Sequence, residues 1–207
     1  MVKRMVNTVY SIGYSGFSIH DFLSALKEHD IALVVDVRSS PFSNRFSDYN
    51  KDALENTLKA SGIHYRNYAA EFGARQEDRR FYGQDGYLDF EVFSRSDPFL
   101  RGVGKLCESM RRDYTFALMC AEKRPMDCHR AILVSRAFFE RGYKVIHLLP
   151  NGRTMTQEDL NDQLIELYFP NRDQMTLFGD TQDRESLLKA AYRKRNAEIG
   201  YRLGDFE

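Results

Sequence analysis

The sequence has no excess of charge of either sign, because its 207 residues contain 30 Lys and Arg and 30 Asp and Glu. This balance excludes a global basic field that would recruit nucleic acid, so any such contact must come from a local patch. No apolar run approaches the roughly 20 residues that a membrane span needs. The first residues, MVKRMVNTVYSIGYSG, also lack the apolar segment and the small-residue cleavage site of a signal peptide. We therefore expect a cytoplasmic protein with no membrane partner.

Cysteine is scarce, since Cys107, Cys120 and Cys128 are the only three in the chain. An odd and sparse set in a cytosolic protein argues against a disulfide framework. The sequence contains no Cys-x-x-Cys pair, which argues against a structural zinc site. We therefore expect no metal ion and no cofactor.

Apolar runs that favour strands alternate with amphipathic segments that favour helices along most of the chain. This alternation predicts an α/β protein with a three-layer, doubly wound, mainly parallel sheet of about five strands and a C-terminal tail helix. We predict a single domain over residues 1–170, an exposed linker over 171–183 and a helical tail over 184–207. The five predicted strands cover residues 9–13, 31–37, 63–68, 114–120 and 143–149.

The stretch ALMCAEKRPMDCHR, residues 117–130, gathers two thiols, an acid, an imidazole and a guanidinium where the fourth strand leads into a helix. In open parallel sheets, ligands bind beyond the carboxyl ends of the strands. Asp127 is placed to cap the helix, which puts Cys128, His129 and Arg130 in its first turn. That position favours an anion and a thiolate, and a guanidinium suits phosphate or carboxylate. We interpret the turn as an anion pocket with an activated thiol. The alternative is a small buried residue at a helix start, with the imidazole and the guanidinium on the surface.

Other candidate residues follow the ends of the remaining strands. Cys120 is either a core residue or, with Glu122 beside it, a second reactive thiol. Asp36 and Arg38 share one face at the end of a buried strand, where they either line the pocket or form a salt bridge. The predicted catalytic residues are Cys128, Cys120, Glu122 and Asp36, and the predicted ligand-binding residues are His129, Arg130, Arg38, Tyr14, Ser15 and Arg75.

Several motifs resemble the domain-of-unknown-function 488 family: IGYSG, VVDVRSSPFSNRF, the EFGAR loop, YGQDGY and above all LMCAEKRPMDCHR. The resemblance covers roughly residues 7–152. It implies a compact α/β domain whose cysteine and histidine pattern suggests an enzyme, and it names no reaction. Tyr14 stands where the family usually has histidine, and Phe72-Gly73-Ala74-Arg75 stands where Gly-Gly-Arg is usual. The segment LVVDVR is also similar to the opening strand of rhodanese domains, which is a likeness of fold only.

A separate motif lies in the predicted linker, where Gln174, Met175, Leu177 and Phe178 belong to the pentapeptide QMTLF. This peptide closely resembles the one by which bacterial DNA polymerases and repair proteins dock on the DNA sliding clamp. Glutamine offers a polar anchor, and the three apolar side chains fit a shallow groove. The alternative is that Leu177 and Phe178 pack the tail on the surface of the domain itself.

These features together predict an enzyme-like protein that binds an anionic small molecule, a nucleotide or nucleic acid. Cys128 or Cys120 would act as nucleophile or redox thiol in a hydrolase or transferase, and the tail would link it to DNA repair or replication. One alternative is a non-enzymatic adaptor that senses a ligand and tethers the clamp. Another is a metal or haem site that uses Cys128, His129 or His147.

Overall fold

A six-stranded sheet lies between two layers of helices in the computed structural model, which describes residues 8–170 and 183–204. The order across the sheet is β3-β2-β4-β1-β5-β6, in which β6 is antiparallel to β5 and the other neighbours are parallel. The predicted α/β fold with a mainly parallel sheet is confirmed. The strands are β1 (Thr8–Gly13), β2 (Leu33–Asp36), β3 (His64–Asn67), β4 (Phe116–Cys120), β5 (Lys144–Leu149) and β6 (Arg153–Thr156).

Eight α-helices cover the two faces of the sheet within this part of the chain. Helices α1 and α2 pack on one face, and α5, α6, α7 and α8 pack on the other. A π-helical segment, Arg130–Ser135, leads into α6. The helices are α1 (Ile19–Glu28), α2 (Lys51–Ala60), α3 (Ala69–Phe72), α4 (Phe90–Phe93), α5 (Asp97–Arg111), α6 (Arg136–Phe139), α7 (Gln157–Tyr168) and α8 (Arg184–Ile199).

The central strands β2 and β4 are buried along their whole length, as their continuous apolar runs predict. Successive side chains of β4 point to opposite faces of the sheet. Leu118 and Cys120 pack in the core on the α5 side, whereas Ala117 and Met119 pack in the core on the α1 side. The face to which a β4 residue belongs therefore decides which helices surround it.

The sixth strand, β6, was not predicted. Asn151 and Gly152 both adopt positive φ values, 65° and 67°, which reverse the chain after β5. The strand has no clear sequence signal, because β6 is polar and half-exposed and carries no apolar alternation. Thr156 ends the strand and caps α7 through a hydrogen bond from the backbone N–H of Asp159.

The predicted C-terminal helix is present as α8, and it packs against α7. Ala191 and Tyr192 of this helix are buried in the core. The hydroxyl of Tyr192 donates to Oδ1 of Asn161 at 2.6 Å and accepts from Nε2 of Gln157 at 2.8 Å. The predicted clamp peptide, residues 174–178, lies outside the described residues. Among the helices that are described, none has both the length and the apolar character needed to cross a bilayer.

Candidate active site

The ends of β1 and β4 lie side by side at the carboxyl edge of the sheet. Gly13 pairs with Cys120 in register. Beyond the strands, the backbone N–H groups of Tyr14 and Ser15 donate to the carbonyl oxygens of Cys120 and Ala121, at 3.0 and 2.9 Å. The connections that follow run over opposite faces of the sheet, α1 over one and α6 over the other. This edge is therefore a topological switch point, where open α/β sheets bind their ligands.

The chain leaves β4 through a short 3-10 turn, Pro125–Asp127, before the next helix begins. Cys128 follows in an extended conformation, and its carbonyl oxygen accepts the first two backbone hydrogen bonds of the helix, at 3.0 and 3.1 Å. Cys128 therefore occupies the N-cap position. The prediction that Asp127 caps the helix is wrong, because this residue belongs to the 3-10 turn and its carboxylate pairs with Arg195. The helix opens with π-helical residues, a form that is frequent at functional sites.

Four predicted side chains converge at this edge: Cys120, Glu122, Cys128 and His129. Oε2 of Glu122 lies 2.9 Å from Sγ of Cys128 and 3.1 Å from Sγ of Cys120. Nδ1 of His129 lies 3.9 Å from Sγ of Cys120. A carboxyl group and an imidazole thus both face the two sulfur atoms, and we call these four residues the thiol cluster.

His129 is oriented by the ring nitrogen that points away from the sulfurs. Its Nε2 lies 2.9 Å from the backbone carbonyl oxygen of Val37. A carbonyl oxygen only accepts, so Nε2 carries a proton and donates it to this bond. Nδ1 therefore remains to exchange a proton with the thiols or to bind a metal ion. It lies with the sulfurs of Cys120 and Cys128 in a set whose members are all within 4.8 Å of one another, which is compact enough to hold a metal ion.

The two sulfurs lie just beneath the surface of the protein. Cys128 is 1% exposed and Cys120 is 3% exposed, and His129 is also buried. Glu122 is an exposed residue, but its carboxyl group is turned inward onto both sulfurs. A surface residue is thus in direct contact with both buried thiols.

The surroundings of the two thiols shift their pKa values in opposite directions. Burial raises the pKa of Cys128, but hydrogen bonding from Cys120 and the charges of Arg130 and His129 outweigh burial and bring it well below its usual range. The bond to Cys128, together with burial, raises the pKa of Cys120 well above its usual range. Burial of the inward carboxyl group and the charge of Cys128 raise the pKa of Glu122. Burial lowers the pKa of His129, but its contact with Cys128 more than offsets this and raises it. Of the two thiols, Cys128 is therefore the one that ionises first.

Arg130 is fully buried beneath the end of β1. Its Nη1 donates to the carbonyl oxygen of Glu122 at 2.7 Å, while Nε and Nη2 have no hydrogen-bond partner among the described residues. A buried guanidinium is costly unless a negative charge compensates it. A thiolate at Cys128 is a charge of this kind, and the guanidinium favours it by lowering the pKa of the Cys128 thiol. Arg130 was predicted as a ligand-binding residue, and the structure places it behind the thiol cluster.

The family to which the chain belongs follows from comparison with known proteins. Residues 18–137, more than half of the chain, match the family model described as Domain of unknown function DUF488. The chain belongs to the DUF488 family. The predicted resemblance is thus confirmed, and the thiol cluster lies within the matched region of the DUF488 domain. Neither a curated protein nor a solved structure shows significant similarity to the chain.

Asp36 lies apart from the thiol cluster of this DUF488 domain. It is level with Met119 in the register of β2 and β4, so it faces the α1–α2 layer, whereas Cys120 faces the opposite layer. Nη2 of Arg38 donates to Oδ2 of Asp36 at 2.6 Å, and the hydroxyl of Tyr65 donates to the same oxygen at 2.7 Å. Asp36 and Arg38 thus form a salt bridge, which was one of the two arrangements expected for them. We therefore do not assign Asp36 as a proton carrier for the thiols.

Tyr14 and Arg38 are also part of the packing on the α1–α2 side. The ring of Tyr14 is buried and stacks on Tyr49, with centroids 4.4 Å apart. The guanidinium carbon of Arg38 lies 5.2 Å from the centroid of Tyr14, and its Nη1 donates to the carbonyl oxygen of Tyr49 at 2.9 Å. Both predicted ligand-binding side chains thus have partners within the core of that layer.

Arg75 lies in a different part of the DUF488 domain surface. Its backbone N–H donates to Oγ of Ser39 at 2.8 Å, and its guanidinium lies 5.0 Å from the ring centroid of Tyr201. The side chain is exposed and borders a cleft of about 830 Å³ that Arg80 and Phe81 also line. Arg75 is therefore beside a basic and aromatic cleft that is separate from the thiol cluster.

His147 has a structural role within the core. Its Nδ1 lies 2.6 Å from Oγ of Ser11, and its Nε2 lies 3.0 Å from Oε1 of Gln157. Burial lowers the pKa of His147 to about 3, so the ring is neutral. Because both ring nitrogens have partners, His147 is not available as a ligand for a metal ion or haem. Of the three candidate ligands, Cys128 and His129 remain.

Two features of the site were missed by sequence reasoning. The backbone carbonyl of Val37 orients His129, and a backbone acceptor leaves no signal in the residue type. The absence of a side chain at Gly13 allows the loop after β4 to pack closely against it, since a Cβ atom on residue 13 would lie 1.8 Å from the carbonyl oxygen of Glu122. The Gly-Tyr-Ser-Gly run after the first strand was the only signal that a close backbone approach occurs here.

Proposed function

We propose that this chain is an intracellular thiol-dependent enzyme, a hydrolase or transferase, that acts on an anionic ligand such as a nucleotide or nucleic acid. The observation that supports this most directly is the contact between Sγ of Cys128 and Glu122, with buried Arg130 bound to the same loop. Cysteine attacks as its thiolate, which neighbouring positive charge favours. Cys128 is therefore the nucleophile, and Arg130 stabilises its negative charge.

Glu122 is the proton carrier in this proposal. Its raised pKa allows it to hold a proton closer to neutrality than an exposed glutamate does. The carboxylic acid protonates the leaving group when Cys128 attacks. The carboxylate then takes a proton from the water or acceptor that releases the product from the sulfur. Cys120 stays protonated and supports the thiolate by hydrogen bonding.

A small cleft formed in part by the same loop supports an anionic ligand. It has a volume of about 120 Å³ and is bordered by Lys123, Arg124 and Arg153, and the described residues that line it include no acidic one. Met126 and Leu149 contribute apolar surface. Positive side chains beside an apolar wall suit a ligand that combines a phosphate or carboxylate with a flat apolar group.

Alkylation of Cys128 should be nearly independent of pH from neutrality upward. An ordinary cysteine is only about 3% ionised at pH 7, so its rate rises more than about tenfold before it reaches a plateau. Because its neighbours bring the pKa of Cys128 well below its usual range, we expect its rate with iodoacetamide to change less than about threefold over the same pH interval. Peptide-resolved mass spectrometry of the full chain measures this, with N-acetylcysteine as the reference thiol.

Each rate is compared with its own plateau, so restricted access to the buried sulfur does not affect the comparison. Cys128→Ser is the control that identifies the modified peptide. A pH profile as steep as that of N-acetylcysteine would contradict the proposed nucleophile. It would favour the adaptor alternative, which needs no activated thiol.

The metal alternative concerns the same donor atoms, those of Cys120, Cys128 and His129. A metal ion bound to both sulfurs would block alkylation until a chelator removed it. Elemental analysis of the purified full chain and its absorption spectrum separate the two cases. One equivalent of metal that is lost in Cys128→Ser would replace the enzyme proposal with a metal centre.

We also propose that the chain binds the bacterial DNA sliding clamp through QMTLF, which would link it to DNA repair or replication. In a pull-down with purified clamp, Gln174→Ala and the double variant Leu177→Ala/Phe178→Ala should each weaken binding by at least about tenfold. Leu167→Ala is the matched control, because Leu167 is an exposed leucine on α7, outside the peptide. Equal binding by all variants, or no binding by the parent chain, would remove the connection to DNA.

A further inference from the structure

We propose that Cys120 and Cys128 form a reversible disulfide when a hydroperoxide enters the thiol cluster, so that the site reduces or senses small peroxides. This inference rests on the proposed reactivity of Cys128 and adds a second role for Cys120. It assigns to the cluster a substrate class that differs from the anionic ligand.

The two sulfurs share one neighbouring group and lie close to each other. Both are within hydrogen-bond distance of Oε2 of Glu122, and their separation is no more than 4.8 Å. A disulfide bond of about 2.05 Å then requires the sulfurs to approach by less than about 3 Å. Cys120 ends β4, while Cys128 lies in extended backbone between a 3-10 turn and a helix. Rotation of the two side chains and a small shift of this connection provide the movement.

The burial of the thiol cluster restricts the oxidant to a small molecule. Both sulfurs are buried, and the inward carboxyl group of exposed Glu122 covers them. Hydrogen peroxide or a small organic hydroperoxide passes a displaced side chain, whereas a protein disulfide does not reach the sulfurs. The third cysteine, Cys107, is half-buried on α5 and lacks an adjoining carboxyl group and second sulfur among its described contacts. It therefore serves as an internal reference for unassisted oxidation.

The chemistry takes two steps. The thiolate of Cys128 attacks one oxygen of the hydroperoxide, so that an S–O bond forms and the O–O bond breaks, and the leaving alkoxide takes a proton from Glu122. The sulfur of Cys120 then attacks the sulfenic sulfur of Cys128. The S–S bond forms, the S–O bond breaks, and hydroxide leaves as water with the proton of the Cys120 thiol. The peroxide is reduced to an alcohol or water, and an external dithiol returns the disulfide to two thiols.

The reduced full chain is treated with hydrogen peroxide, and its peptides are mapped by mass spectrometry without reduction. We expect a single Cys120–Cys128 disulfide that dithiothreitol reverses, formed at least about tenfold faster than oxidation of Cys107. Cys120→Ser should stop the reaction at the sulfenic acid of Cys128, which dimedone traps. Cys107→Ser is the matched control and should form the same disulfide as the parent chain.

Two results would overturn the inference. One is over-oxidation of Cys128 in the parent chain without the disulfide, and the other is oxidation of Cys107 at the same rate as the pair. The alkylation profile separates this failure from that of the proposed function. An alkylation rate of Cys128 that hardly changes with pH, without a disulfide, overturns the inference and leaves the nucleophile in place. An alkylation profile as steep as that of N-acetylcysteine, together with no disulfide, overturns both.

Discussion

Replacement of Asp36 by asparagine should destabilise the fold by about 3–5 kcal/mol, because it leaves the buried guanidinium of Arg38 without its counter-charge. Both side chains are almost completely buried, with 0% of Asp36 and 5% of Arg38 exposed. Asparagine keeps the shape of the aspartate side chain, so the effect reports the lost charge rather than a cavity. Thermal unfolding should show a midpoint lowered by roughly 10 °C.

The chain contains a matched control for this substitution. Asp78 and Arg80 have the same spacing in the sequence and the same paired contacts, with Nη2 2.6 Å from Oδ2 in both cases. This second pair lies at the surface, where solvent screens the charges. Asp78→Asn should therefore leave the unfolding midpoint almost unchanged. An equal decrease of the unfolding midpoint in Asp36→Asn and Asp78→Asn would contradict the expectation that burial makes the loss of the first pair more costly.

Gly13→Ala should destabilise the protein by about 3 kcal/mol and also give the alkylation of Cys128 the steep pH dependence of an ordinary cysteine. The new methyl group would lie 1.8 Å from the carbonyl oxygen of Glu122 and 2.8 Å from Nη2 of Arg130. The carbonyl oxygen is backbone, so the whole loop after β4 must move away. That movement breaks the bond from Arg130 to the loop and separates Glu122 from the sulfurs.

Gly104→Ala is the corresponding control. A Cβ atom at Gly104 meets nothing within 4 Å, and the residue lies within α5. Alanine is favoured over glycine in a helix by up to about 1 kcal/mol, so this variant should be slightly more stable than the parent chain. Urea unfolding and alkylation of both variants measure the effects. A Gly13→Ala protein with parental stability and parental Cys128 reactivity would refute the close packing of the two loops.

The elements that sequence reasoning predicts best are those in which the polarity of the side chains indicates directly whether they are buried. The continuous apolar runs of β2 and β4 predict strands buried on both faces, and both are. The helix after Cys128 is also predicted, although its N-cap is one residue later than expected. The polar strand β6 is not predicted, because only its pairing with β5 makes it a strand.

The composition of the site depends on strand register, which a single sequence does not contain. Asp36 and Cys120 end neighbouring strands, and this made a shared pocket a reasonable prediction. In the structure Asp36 is level with Met119 rather than with Cys120, and this one-residue offset places the two on opposite faces. Cys128, His129 and Glu122 are gathered by a short loop, so their proximity was accessible from sequence. The burial of Arg130 was not accessible from sequence, because it depends on the space that Gly13 leaves at the end of β1.

The central claim is that Cys128 carries a negative charge at neutral pH, stabilised by its neighbours in the thiol cluster and by Arg130. The ultraviolet absorbance of thiolates measures this directly when the Cys107→Ser chain and the Cys107→Ser/Cys128→Ser chain are titrated in parallel. We expect the first chain to show thiolate absorbance at neutral pH, which disappears on acidification and is absent from the second. Identical absorbance of the two chains at neutral pH would contradict it.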